Sequence, residues 1–125
     1  MDAPPRLTRI APIIPVFDLP GAVAFFQGVL GFSAVVVQER HAILERDAAR
    51  FTLIPAAPDA TPGDPARECS AYIWVEELDR LWSELEEGLR ALPASHVRAP
   101  FVQEYGMREF HVIHGPLLIF FGEAV

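Results

Sequence analysis

The sequence predicts an α+β fold made of two copies of one unit, each a strand, a helix and three further strands. Three observations carry this reading. Val16-Phe17-Asp18-Leu19 recurs as Val75-Glu76-Glu77-Leu78, 59 positions later. An apolar, strand-like run precedes each copy: Ala11-Pro12-Ile13-Ile14-Pro15, then Ser70-Ala71-Tyr72-Ile73-Trp74. An amphipathic helical pattern follows each copy. An acidic residue at a strand end, leading straight into a helix, is an N-terminal helix signal, because its oxygens accept from N–H groups that have no partner within the helix. Its recurrence at matched positions argues for one repeated unit. Two half-sized units, each without a complete core, must pack together, and a concave space between them suits a ligand.

The first unit runs from about Leu7 to Pro55. A strand from Arg9 to Val16 leads into a helix from Pro20 to about Leu30, with proline in the first turn, where its missing N–H costs nothing. Ala22, Phe25, Phe26, Val29 and Leu30 share one helical face. Gly31 ends the helix. Strands follow at Ser33 to Gln38, His41 to Arg46 and Arg50 to Ile54, with Asp47-Ala48-Ala49 as a turn. The stretch from Pro55 to Pro65 carries four prolines and one glycine. Such a stretch continues neither a helix nor a central strand, so it is the connector. In the second unit a strand from Cys69 to Val75 precedes a helix from about Leu78 to Leu89 that buries Leu81, Trp82, Leu85 and Leu89. Strands are expected at His96 to Arg98, Glu109 to Ile113 and Leu117 to Phe121, with His114-Gly115-Pro116 as a turn.

Composition bounds the function. The chain has 125 residues, 51% hydrophobic and 22% charged, enough for one domain with a real core. Its formal net charge is −7, and all 10 basic residues are arginines. An acidic chain without a basic cluster is a poor partner for nucleic acid or an anionic membrane, whereas a cationic or neutral ligand is readily accepted. Cys69 is the only cysteine, so no intramolecular disulfide forms. The N-terminus has no apolar signal core, and no apolar run approaches the roughly 20 residues that span a bilayer. A cytoplasmic location is expected. The Ala-, Arg- and Pro-rich usage without lysine suggests a bacterial source.

Four segments point to a family: Val16 to Leu19 with Phe25-Phe26 and Leu30-Gly31-Phe32; Tyr72-Ile73-Trp74-Val75-Glu76-Glu77-Leu78-Asp79; Tyr105-Gly106-Met107-Arg108-Glu109-Phe110; and the Pro- and Asp-rich connector. With them the chain resembles the vicinal oxygen chelate superfamily of glyoxalase I, extradiol dioxygenases, fosfomycin-resistance enzymes and bleomycin-resistance proteins. The bleomycin-resistance branch is the most similar. This resemblance implies a single domain over residues 1–125, with units at about 7–55 and 69–123 and a connector at 56–68. The two βαβββ units would form a cupped, eight-stranded mixed sheet. It also implies a homodimer with ligand grooves across the subunit contact. The family's last hairpin is usually Asp-Pro-x-Gly-Asn; here it is the shorter His114-Gly115-Pro116.

Enzymes of the superfamily hold a divalent metal with histidine and glutamate on inner strands, chemistry that needs several such ligands converging on one ion. The matching slots here hold Ala11, Ser70 and Phe120, and Arg50 to Ile54 carries no carboxylate or imidazole. His111 and His114 are three apart, not the helical metal spacing of four. No metal, cofactor or catalytic residue is expected. Neither a Gly-x-Ser-x-Gly, a phosphate loop nor a Cys-x-x-Cys is present.

Strand alternation then lines the cup. Ser70 takes Tyr72 and Trp74 to its face, Ala11 takes Ile13 and Pro15, Phe120 takes Leu118, and Thr52 takes Ile54. The resulting wall is apolar and aromatic, suited to a flat or cationic ligand. The candidate ligand-binding residues are Tyr72, Trp74, Tyr105, Phe120 and His41. The expected function is metal-free binding and sequestration of a small molecule such as a cationic glycopeptide antibiotic. Two rivals remain: a metal-dependent lyase or dioxygenase with His41, His111, Glu104 or Glu109 as ligands, and a scaffold or immunity partner whose cup is filled by core side chains.

Overall fold

The computed structural model describes residues 2–125. Its elements, in chain order, are β1 (Ile13–Val16), α1 (Leu19–Gly28), β2 (Ser33–Gln38), β3 (His41–Arg46), β4 (Ala49–Pro55), β5 (Cys69–Trp74), α2 (Leu78–Leu89), β6 (Val97–Val102), β7 (Met107–His114) and β8 (Leu117–Ala124). The eight strands are divided into two mixed sheets of four, in the orders β1-β4-β3-β2 and β5-β8-β7-β6. In each sheet the first strand runs parallel to the last, and the other pairs are antiparallel. Both units therefore share one topology, strand, helix and three-strand meander.

The hydrophobic pattern explains the layers. In β1, Ile14 and Val16 are buried while Ile13 and Pro15 are exposed. In β8, Leu117, Ile119 and Phe121 are buried, and in β7 so are Phe110 and Val112. These alternate residues pack under the helices, and the other face of each sheet stays open. In α1, Leu19, Ala22, Val23, Phe25 and Phe26 turn inward. Phe26 is 1% exposed and its ring centroid lies 5.2 Å from those of both Phe32 and Phe51. Truncating such a ring in a close-packed site costs about 3–5 kcal/mol.

Three expectations are corrected. The first strand begins at Ile13 rather than Arg9, and residues 2–10 lie exposed. Pro12 has no N–H to offer a neighbour, although its carbonyl still accepts from Thr52 at 3.0 Å. The sixth strand is longer than foreseen and starts after a 3₁₀ turn at Ala94–His96. It carries a register shift between Arg98 and Phe101, next to Pro100, where a bulge tolerates the missing donor. The two acidic helix signals also act differently. Asp18 caps α1, with Oδ1 accepting from the Gly21 N–H at 3.0 Å. Glu77 is the N-cap residue of α2 yet makes no side-chain cap, and adopts φ +61°. Glu123, at the end of β8, instead accepts from the N–H groups of Glu77 and Leu78 at 2.7 and 3.1 Å. The side chain of aspartate is the right length to fold back on its own helix start, whereas glutamate is one methylene too long.

The units meet through a shared core and two specific contacts. Arg46 forks onto Glu84 at 2.6 and 3.1 Å and also donates to the Leu30 carbonyl at 2.9 Å. His114 stacks on Phe25 with centroids 4.1 Å apart; burial pushes its imidazole down from the ordinary value. An open cleft of about 1040 Å³ runs between the β3–β4 hairpin of the first unit and β5 with the start of α2.

Candidate functional site

The open face of the second sheet is aromatic and is organised by one buried carboxylate. Register sets its rows. Tyr72 pairs with Phe120 and Phe120 with His111; Trp74 pairs with Gly122 and Gly122 with Glu109. All of these side chains therefore project from the side opposite α2. The Tyr72 ring lies 4.5 Å from Trp74 and stacks at 5.8 Å on Phe120. Phe120 in turn lies 4.3 Å from the His111 imidazole.

Glu109 is 0% exposed. Its Oε2 accepts from the hydroxyls of Tyr72 at 2.6 Å and Tyr105 at 2.5 Å. Its Oε1 contacts Gln103 Nε2 at 3.1 Å and His111 Nε2 at 2.8 Å. Burial penalises the charged carboxylate, but the hydrogen bonds from Tyr105, Tyr72, His111 and Gln103 outweigh that penalty and hold the carboxyl at about 2. The reciprocal effect falls on the tyrosines. Burial, then the bond to Glu109, pushes the Tyr72 hydroxyl up; for Tyr105 the bond to Glu109 comes first. No buried side-chain nitrogen or oxygen is left without a partner among the described residues. The network is thus fully satisfied, the condition under which a buried polar group orders its surroundings.

Gly122 makes this geometry possible. A methyl group on it would overlap the Tyr72 hydroxyl, so only glycine lets the ring cross β8 to reach Glu109. Gly106, at φ +83°, supplies the left-handed turn that carries Tyr105 back over β7.

Four of the five candidate ligand-binding residues, Tyr72, Trp74, Tyr105 and Phe120, come together here. His41 does not: it begins β3 in the other sheet and its Nδ1 contacts Gln38 Oε1 at 3.1 Å. Tyr72 and Trp74 also line the cleft between the units, opposite Arg46 and Arg50. Of the alternative metal ligands, Glu109 and His111 touch, whereas Glu104 is exposed and His41 is remote in the fold. Among the described residues no three His, Cys, Asp or Glu side chains converge on a metal-sized space. Cys69 is half-buried, its thiol pushed up by burial and directed at the Pro116 carbonyl. It lacks the electropositive surroundings of a nucleophile.

Sequence reasoning named Glu109 only as a possible metal ligand and missed Gln103 and Gly122. The signal was present: alternation along β7 sets Glu109 and His111 against the apolar pair Phe110 and Val112. That pattern puts Glu109 on the open face with His111; its burial there comes from Tyr72, Tyr105 and Gln103, which reach it from elsewhere in the fold.

A fold of paired βαβββ units is that of the glyoxalase-like proteins. The family model of the Glyoxalase/Bleomycin resistance protein/Dioxygenase superfamily matches residues 6–119, and the chain belongs to that superfamily. It is similar to a bleomycin-binding protein solved with bleomycin, at 20% identity and a TM-score of 0.77, over 95% of this chain and 100% of that one. The bleomycin-binding protein from Streptomyces verticillus, solved with copper(II)-bleomycin, gives 21% identity and 0.73 over 93% and 95%. A lactoylglutathione lyase from Agrobacterium tumefaciens gives 16% identity and 0.69 over 97% and 96%. At these identities the likeness is one of fold. No curated protein matches the chain.

Proposed function

We propose that this chain is a small-molecule-binding protein of the bleomycin-resistance type, which sequesters a cationic, aromatic glycopeptide and makes or breaks no bond. One observation carries the reading. Trp74 and Tyr105 stand 74% and 61% exposed on a surface already built of Tyr72 and Phe120. Large aromatic rings held in water forfeit the burial that ordinarily stabilises them, roughly 25 cal/mol per Å², and such a patch marks a binding surface. The likeness to two bleomycin-binding folds supports the choice of ligand class. The net charge of −7 supports a positive ligand over nucleic acid or an anionic membrane.

The working form is proposed to be a cytoplasmic homodimer. Leu7, Ile10 and Ile13 are 103%, 90% and 63% exposed, apolar area that a second copy would cover. The ligand groove would then lie between the open face of one subunit and its partner.

Titration with a bleomycin-type glycopeptide at low salt tests the function. Quenching of tryptophan fluorescence is expected, and the affinity should fall as salt screens the acidic surface. Absence of binding at low salt overturns the ligand assignment.

A further inference from the structure

We propose that Glu109 is the positioning residue that makes this site select a positively charged ligand group, acting through Tyr72 and Tyr105 rather than by contact. The proposal rests on the ligand-binding reading above and names the chemistry its aromatic face prefers.

Glu109 cannot touch a ligand, because none of its surface reaches solvent. Its hydrogen-bond partners are two tyrosines, a glutamine and a histidine, with no arginine among them. Arg108 pairs with Asp79, and Arg46 and Arg50 across the cleft pair with Glu84 and Glu45; Arg98, in register with His111, lies over the Phe101 ring at 3.5 Å and makes no ion pair with Glu109. The face therefore has a carboxylate beneath it to which, among the described residues, no arginine is bonded. Neutral donors satisfy the lone pairs of a buried carboxylate without cancelling its charge, so its field remains.

That field is passed outward by the tyrosines. Both hydroxyls end on one atom, Oε2, so the two rings are tied to one point and their orientations are coupled. A phenol that donates to a carboxylate gains electron density on its ring, and an electron-rich ring attracts a cation more strongly. Trp74, 4.5 Å from Tyr72 and largely exposed, supplies a further π-face. The four features, a sealed carboxylate, two polarised phenols and an open indole, describe a seat for an organic cation such as a substituted ammonium or a guanidinium group. Of the titratable groups facing Glu109, His111 touches it, with Nε2 2.8 Å from Oε1.

The test compares choline with 3,3-dimethylbutan-1-ol, which has the same shape but carbon in place of the charged nitrogen. Both are titrated at pH 8 and low salt, following Trp74 by fluorescence and by its indole NMR signal. Choline is expected to bind about tenfold more tightly than the alcohol, the scale of a partly desolvated cation–π contact. Glu109→Gln should remove that preference while near-ultraviolet circular dichroism stays native. Equal affinities in the wild-type protein, or a preference that survives Glu109→Gln, would overturn the proposal. Should Glu109→Gln fail to fold, Tyr105→Phe decides, since Tyr105 is exposed and its loss leaves the core intact. It should weaken choline about threefold and leave the alcohol unchanged; equal loss for both rejects the role. A glycopeptide that fails to bind while the choline preference holds rejects the ligand assignment alone. A glycopeptide that binds wild type and Glu109→Gln equally rejects the role of Glu109 alone.

Discussion

Tyr72 crosses Gly122 to donate its hydroxyl to Glu109 at 2.6 Å, and the glycine at that crossing is the only residue without a side chain to block it. Gly122→Ala should displace the ring, strand part of the Glu109 network and overpack the face. A loss of about 1–3 kcal/mol in urea denaturation is expected, the usual cost of an inserted group in a packed site. Ligand-induced quenching should fall with it.

Trp74→Ala is expected to weaken ligand binding by roughly 1–3 kcal/mol, the scale of one aromatic stacking partner. Stability should barely change, because the side chain is 74% exposed. Trp82, packed 5.1 Å from Phe110, remains as the internal fluorescence reference. Unfolding of the variant without any effect on binding would favour a cup filled by core side chains.

Stability should fall on both sides of neutrality. The Glu109 carboxyl sits at about 2 in the folded chain against an ordinary 4.5. A depressed carboxyl contributes stability present in full above about 4.5 and lost as the pH falls through about 2. Tyr72 and Tyr105 are raised above an ordinary 10.0. Their contribution is present below that value and lost as the pH rises through the raised ones, where a phenolate would face the carboxylate. Thermal melts across pH should show this window, and Glu109→Gln should flatten its acid limb.

The purified protein should hold no stoichiometric transition metal, given Ala11, Ser70 and Phe120 at the family's ligand slots. One equivalent of zinc, nickel, manganese or iron, retained after dialysis, would favour the enzymatic rival.

Sedimentation at micromolar concentration should give a dimer, and a 13.8 kDa species would contradict it. Ile10→Glu, on the exposed arm, should shift the equilibrium towards the monomer.

What could be read from the chain was whatever depends on local period and repetition. The repeat of Val16 to Leu19 at Val75 to Leu78, the alternation in β1, β5 and β8, and the turns at Gly31 and Gly115 sit in short windows, where backbone geometry dictates residue type. The face shared by Tyr72, Trp74 and Phe120 followed from parity alone, since register there needs no bulge. Tertiary structure decided the rest. His41 left the aromatic set because the two sheets are separate, which no alternation pattern encodes. Glu123 replaced Glu77 as the cap of α2 because a strand end 46 residues away happens to meet that helix start. The joining of Glu109 with Tyr72, 37 residues apart, needed β5, β8 and β7 to lie side by side and Gly122 to leave a gap between them. A hydrogen bond of that kind depends on through-space distance, and through-space distance exists only once the chain has folded.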